Sequence, residues 1–195
     1  MQLKSLFDGL AASLDGGAAI EARGREALCN AAVPQHLSVP CSDLPDSVLS
    51  VMSAPDAHPV CRLIAETSLP WAAPQTSTDA AYIADSLLKV HVELIGPGGL
   101  VASDHVRLGL YGMLPNADYG VRTHPAEEIF VMLAGEALWK RGDTPYLPHK
   151  TGGRVHHPSM LPHATRTAAL AFMSIYIWHG DISTERYAYQ GRIND

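Results

Sequence analysis

Five apolar runs, each about the length of a strand, crowd the second half of this chain. They are LLKVHVELIG at 87–96, HVRLGLYGML at 105–114, EIFVMLAGEALWK at 128–140, GGRVHH at 152–157 and LAFMSIYIWHG at 170–180. Clusters of Gly, Pro, Asn and Asp separate them at short, fairly even intervals, the texture of antiparallel sandwiches and small barrels. Before residue 85 the chain reads differently. It is rich in Ala, Ser, Asp and Pro, with helical pieces at 2–14, about 18–32, about 44–52 and a fourth after Pro55. Leu3, Leu6, Phe7, Leu10 and Leu14 give the first of these an apolar face, and Gly16-Gly17 stops it. Cys61, Leu63, Ile64 and Leu69 form a further helix face, with Trp71 capping that layer. The prediction is a mainly β protein: an N-terminal helical segment, 1–84, packed on a β-barrel, 85–195.

Composition narrows the function classes. Hydrophobic residues make up 47% of the 195, enough for a packed core. A formal charge of −6 without a Lys/Arg cluster argues against nucleic acid. Cys29, Cys41 and Cys61, odd in number and without CxxC spacing, read as free thiols. Asp8 and Asp15 spoil the N-terminus as a signal peptide, and no apolar run reaches the ~18 residues that a membrane span needs. The expectation is a soluble, cytoplasmic protein.

The stretch THPAEEIFVMLAGEALWKRG, 123–142, carries the chemistry. Taken as a strand entered from a loop, 122–133 turns Arg122, His124, Glu128, Phe130 and Met132 to one side. Ile129, Val131 and Leu133 face the other way and are all apolar. Both faces therefore need cover, the outer one from the helices or from a second subunit, which predicts a homodimer. Glu127 falls outside by the same parity. A buried imidazole and carboxylate are costly unless paired or bound to metal. His163, in HHPSMLPHATRT at 156–167, follows a Pro-bounded turn and returns across the barrel on an antiparallel strand. Two imidazoles and a carboxylate suit one divalent transition metal: Zn, Fe, Mn, Co or Ni. On spacing alone, a chance HxxxE pair with a distant His remains open.

His124-xxx-Glu128-x₆-Gly135 resembles the first motif of the cupin superfamily, and Pro158-x₄-His163 the second. Arg122 stands where the first His of HxH is expected, and Met160 replaces the second motif's glycine. The wording of 119–167 resembles more narrowly the bacterial dimethylsulfoniopropionate lyases of the cupin type, which also carry a helical segment before the barrel. That resemblance implies a jelly-roll (double-stranded β-helix) barrel and His124, Glu128 and His163 as metal ligands. It implies a β-elimination releasing dimethyl sulfide and acrylate from a small substrate with carboxylate and sulfonium groups. It also places a tyrosine base two residues after the motif glutamate, where this chain has Phe130. Either Tyr119, which also has a tyrosine counterpart in the family, serves as the base, or the chain is a relative acting on another small substrate. An inactivated variant that traps substrate is the third alternative, and a non-catalytic metabolite-binding cupin the last.

Tyr176 and Trp178 share a strand face with Ser174 and read either as an aromatic wall for a sulfonium, with Phe130 beside it and the resemblance favouring Trp178, or as ordinary core aromatics. Arg122 pairs either with the substrate carboxylate or with Glu127, the salt bridge being the plainer reading. Tyr187 and Tyr189 either close the pocket mouth or pack on the surface, the second being the plainer reading. His156 and His157 read as structural lead-in to the turn. His36, His58, His91, His105, His149 and His179 have no partner at ligand spacing.

Overall fold

The computed structural model describes residues 2–192. Four helices come first: α1 (Gln2–Ser13), α2 (Ala19–Asn30), α3 (Asp46–Met52) and α4 (Val60–Glu66). A fifth, α5 (Ala80–Ser86), precedes the barrel and was not expected from the sequence. It is only seven residues long and is held by its cap, the Asp79 carboxylate accepting the Tyr82 N–H at 2.9 Å. Ten strands follow: β1 (Lys89–Gly96), β2 (Val101–Ala102), β3 (Val106–Met113), β4 (Asp118–Thr123) and β5 (Glu127–Arg141), then β6 (Leu147–Lys150), β7 (Arg154–His157), β8 (His163–Arg166), β9 (Phe172–His179) and β10 (Ala188–Gly191). The order across the sheet is β10-β4-β8-β5-β9-β3-β1-β2, with β6 and β7 also paired to β5. This is the jelly-roll barrel with N-terminal helices that the cupin resemblance implies.

β5 organises the barrel because it belongs to two layers. Its first half pairs with β7 and β9, its second half with β6 and β8. The handover falls at Gly135, whose φ is +74° and whose absent Cβ would sit 2.0 Å from the Ala171 carbonyl oxygen. Only glycine satisfies both the left-handed backbone and that approach.

Two apolar clusters follow from strand alternation. Ile129, Val131 and Leu133 of β5, with Met173, Ile175 and Ile177 of β9, face outward and share one apolar cluster with Leu6, Phe7, Leu10 and Ile64 of the helices. Tyr111, Tyr119, Phe130, Met132, Trp139, Phe172, Tyr176 and Trp178 fill the interior. Arg154 fastens the two layers, reaching Asp15 and the buried Glu21 from β7. Ile129, Val131 and Leu133 are at most 2% exposed within the single chain. The helices already cover the face from which a homodimer was argued, so that expectation loses the observation it rested on. Cys61 is buried, Cys29 and Cys41 exposed, and all three are free. Among the described residues no helix is long and apolar enough to cross a membrane.

Candidate metal centre and substrate cavity

His124, Glu128 and His163 arrive from three places. Glu128 points inward from β5, and His163 opens β8, which pairs antiparallel with β4 so that His163 lies opposite Arg122. His124 belongs to neither strand. The reading of 122–133 as one strand is corrected here, because the ladder breaks between Thr123 and Glu127 at Pro125, which has no N–H to offer. One ligand atom from each of the three residues lies within 4.8 Å of the others, and all three residues are buried.

The hydrogen bonds fix the protonation pattern. His124 Nδ1 lies 3.1 Å from the Ala126 carbonyl oxygen, and His163 Nδ1 lies 2.8 Å from that of Leu161. A carbonyl only accepts, so each Nδ1 carries a proton, which in a neutral ring leaves the Nε2 lone pair free. Those lone pairs face Glu128 Oε2 at 3.5 and 3.3 Å, and both Nε2 atoms lack a hydrogen-bond partner. Burial pushes the His163 imidazole well down, aided by His157 and Arg122 and opposed by Glu128. Burial alone would raise the Glu128 carboxyl; the imidazoles around it, His124, His157 and His163, with His157 donating, outweigh that and hold the group well below its ordinary value. Two imidazoles in their neutral form and an ionised carboxylate are the donor set that a divalent cation requires, and in that form, without a cation between them, their lone pairs oppose one another.

His157 is the residue that sequence reasoning missed. It is fully buried in β7 opposite Glu128, and its Nδ1–H donates to Glu128 Oε2 at 3.1 Å. The Trp178 indole N–H donates to the other carboxylate oxygen. Parity within HH offered the missing signal: His156 turns outward to Glu127 at 2.8 Å, so its neighbour must turn inward. Glu127 faces away as expected, and therefore cannot pair with Arg122. Met160, in the place of the motif glycine, keeps a left-handed backbone at φ 61°, its N–H donating to the His124 carbonyl at 2.9 Å.

The aromatic residues gather beside this centre around a cavity of about 700 Å³. Tyr111, Tyr119, Arg122, Glu128, Phe130, Tyr176, Trp178 and Tyr187 all border it, so the five side chains assigned to substrate and proton transfer meet in one place. Tyr119 and Arg122, three apart, would face opposite ways on a regular strand. A register shift between them in the β4–β8 ladder brings both inside. The Arg122 guanidinium is 2% exposed and lies 3.9 Å from the Tyr119 ring centroid, with Lys89 Nζ 3.0 Å from the same centroid. At those separations the two groups would collide on one face, so the phenol ring lies between them. Burial, then Tyr187, pushes the Tyr119 hydroxyl well up, and Arg122 opposes this.

Tyr187 and Tyr189 are not surface packing. Tyr187 bonds the Tyr119 hydroxyl, and its ring lies parallel to that of His124 at 6.1 Å. The Tyr189 hydroxyl donates to Asp85 of α5 and accepts the Gly120 N–H at 2.9 Å. His91, dismissed from the sequence, lies 2.8 Å from the Tyr176 hydroxyl through Nε2.

The sequence profile of the dimethylsulfoniopropionate lyase family matches residues 22–173. The chain is 43% identical over 91 residues to the dimethylsulfoniopropionate lyase DddQ of Ruegeria pomeroyi, an alignment covering 47% of this chain and 45% of that protein. The chain thus aligns with less than half the length of this curated relative. In three dimensions it resembles the crystal structure of DddQ from Ruegeria pomeroyi, with a TM-score of 0.62 at 27% identity, over 98% of this chain and 99% of that one. A structure from work on the lyases RdDddP and RnDddQII aligns with a TM-score of 0.69 over 97% of both chains. At 22% identity that likeness speaks for the fold.

Proposed function

Since the chain belongs to the dimethylsulfoniopropionate lyase family, we propose that it cleaves dimethylsulfoniopropionate to dimethyl sulfide and acrylate by β-elimination. The observation that carries this reading is the pair of buried, unpartnered Nε2 atoms of His124 and His163 facing the Glu128 carboxylate. These three residues would hold one divalent metal. When bound, such an ion supplies a positive charge that polarises the substrate carboxylate and favours the phenolate form of a nearby tyrosine.

The chain's own residues do the rest. Arg122, buried with Nη1 unpartnered, receives the substrate carboxylate. Trp178, Tyr176 and Phe130 wall the sulfonium end, where ring faces attract a cation and exclude water. As the phenolate that such an ion would favour, steadied by the bond from Tyr187 Oη, Tyr119 Oη would accept the proton α to the carboxylate and become a neutral phenol. The C–H electron pair becomes the new C=C bond, and the Cβ–S pair leaves with sulfur as neutral dimethyl sulfide. Phe130 takes no part in proton transfer. His157 and Trp178 fix the carboxylate of Glu128 through their N–H groups.

The test is direct. Purified protein, loaded in turn with Zn, Fe, Mn, Co and Ni, is incubated with dimethylsulfoniopropionate and the headspace assayed for dimethyl sulfide. Release with at least one metal, abolished by chelation, is the expected result. No release with any of them, from protein shown to contain the metal, would assign the cavity to another substrate.

A further inference from the structure

Five phenols besides Tyr111 stand in or around the cavity, and each has a partner for its hydroxyl. Tyr82 accepts the Thr76 N–H at 3.1 Å, Tyr176 pairs with His91, Tyr119 with Tyr187, and Tyr189 with Asp85. Tyr111 is the exception. Its hydroxyl is buried and has no hydrogen-bond partner among the described residues. The residue is 5% exposed and borders the cavity together with Arg122, Glu128 and Phe130.

Packing does not account for that oxygen. The Tyr111 ring lies between Phe130, at 5.6 Å, and Phe172, at 5.9 Å, both phenylalanines and both content without a hydroxyl. A phenylalanine at 111 would fill the same space and leave no polar atom stranded. Buried polar groups left unpaired within a chain are uncommon and mark places where something else completes them. Arg122, which lines the same cavity, likewise has Nη1 without a partner, while its Nη2 donates to Thr165 Oγ1 at 3.2 Å. Tyr111 and Arg122 are close enough to influence one another electrostatically, as are Tyr111 and Glu128. Burial keeps the Tyr111 phenol protonated, so it meets its ligand as a donor. Two buried donors on residues that line one cavity call for an acceptor that is anionic and can take both, which describes a carboxylate.

We infer that Tyr111 is a substrate-contacting residue whose hydroxyl donates to the substrate carboxylate beside Arg122. The inference deepens the lyase reading and rests on it for the identity of the substrate. As the α-proton leaves, its electron pair spreads toward the carboxylate before the Cβ–S bond releases dimethyl sulfide. The Tyr111 bond therefore strengthens on the way to the transition state.

The experiment uses the metal-loaded full chain and Tyr111→Phe. Calorimetry measures the binding of acrylate, which has the carboxylate, and of ethyldimethylsulfonium, which lacks it. Acrylate should bind the variant at least about 10-fold more weakly, with the sulfonium unchanged and the melting temperature equal or higher. On dimethylsulfoniopropionate, kcat should fall by ~10²-fold or more, with KM changing less. Acrylate that binds both proteins alike, or fails to bind the parent, overturns the inference. A parent that releases no dimethyl sulfide yet binds acrylate in a Tyr111-dependent way supports it, while refuting the lyase reading. Unchanged acrylate binding in a parent that does turn over leaves that reading standing and removes Tyr111 from it.

Discussion

Replacing His163 with alanine separates a residue kept for metal from one kept for packing. The imidazole is 1% exposed, stacks on His157 with centroids 4.1 Å apart and donates from Nδ1 to the Leu161 carbonyl. Losing that packing and hydrogen bond should cost about 2–4 kcal/mol. The truncation also removes a lone pair held 3.3 Å from a buried carboxylate oxygen, relieving about 1–3 kcal/mol. The metal-free variant should therefore be only about 1 kcal/mol less stable than the metal-free parent, roughly 2–4 °C in Tm for a chain of this size. Metal reverses the comparison. At a free concentration of about 100 times Kd, a bound ion stabilises the parent by about 2.7 kcal/mol, or roughly 5–10 °C. The variant, with one ligand fewer, should gain little. Thermal melts at pH 8 after chelation, with and without added zinc or nickel, supply all four numbers, and elemental analysis checks the metal content. A metal-free penalty of 4–5 kcal/mol would mean that His163 is an ordinary core residue. Equal stabilisation of both proteins by metal would refute the ligand assignment.

Other changes test separate parts of the argument. Tyr119→Phe should abolish dimethyl sulfide release while metal content stays constant, because the proton acceptor is gone; retained turnover would exclude Tyr119 as base. Phe130→Tyr should raise turnover ~10²–10⁴-fold if the missing hydroxyl is what limits the parent, and no change would show that Tyr119 suffices. Gly135→Ala should destabilise by about 3 kcal/mol or more, since it adds left-handed strain to a 2.0 Å approach on the Ala171 carbonyl; a loss below 1 kcal/mol by urea unfolding would refute the corner assignment. Lys89 is 3% exposed, and burial, with Arg122, brings its ammonium down to about 6 against the partial opposition of Asp85. Between pH ~6 and ~10 the unfolded lysine is protonated and the folded one is not. Parent stability should thus climb with pH by up to ~1.4 kcal/mol per unit more steeply than that of Lys89→Met; equal slopes would show a charged lysine in the fold.

Much of this protein is legible in one dimension. Alternation along 128–133 and 173–178 assigned each side chain to the inside or the outside, because a strand's period of two leaves no third choice. The helical face of Leu3, Leu6, Phe7 and Leu10 and the turn residues between strands were equally local signals. For His124, Glu128 and His163 spacing alone left chance open, since His163 stands 35 residues beyond the HxxxE pair, and the motif resemblance was needed to group them. The sequence could not reveal where alternation fails. Pro125 breaks the strand at His124, and the bulge between Tyr119 and Arg122 turns two residues of opposite parity into the same cavity. Neither could it pair residues far apart in the chain: Tyr187 with Tyr119, Tyr189 with Asp85, His91 with Tyr176, or the Arg154 side chain with Glu21. Nor could it tell which surface the helices would cover. Periodicity records only which side a residue faces. What lies across from it depends on how strands distant in sequence come into register, and that is decided only when the barrel closes.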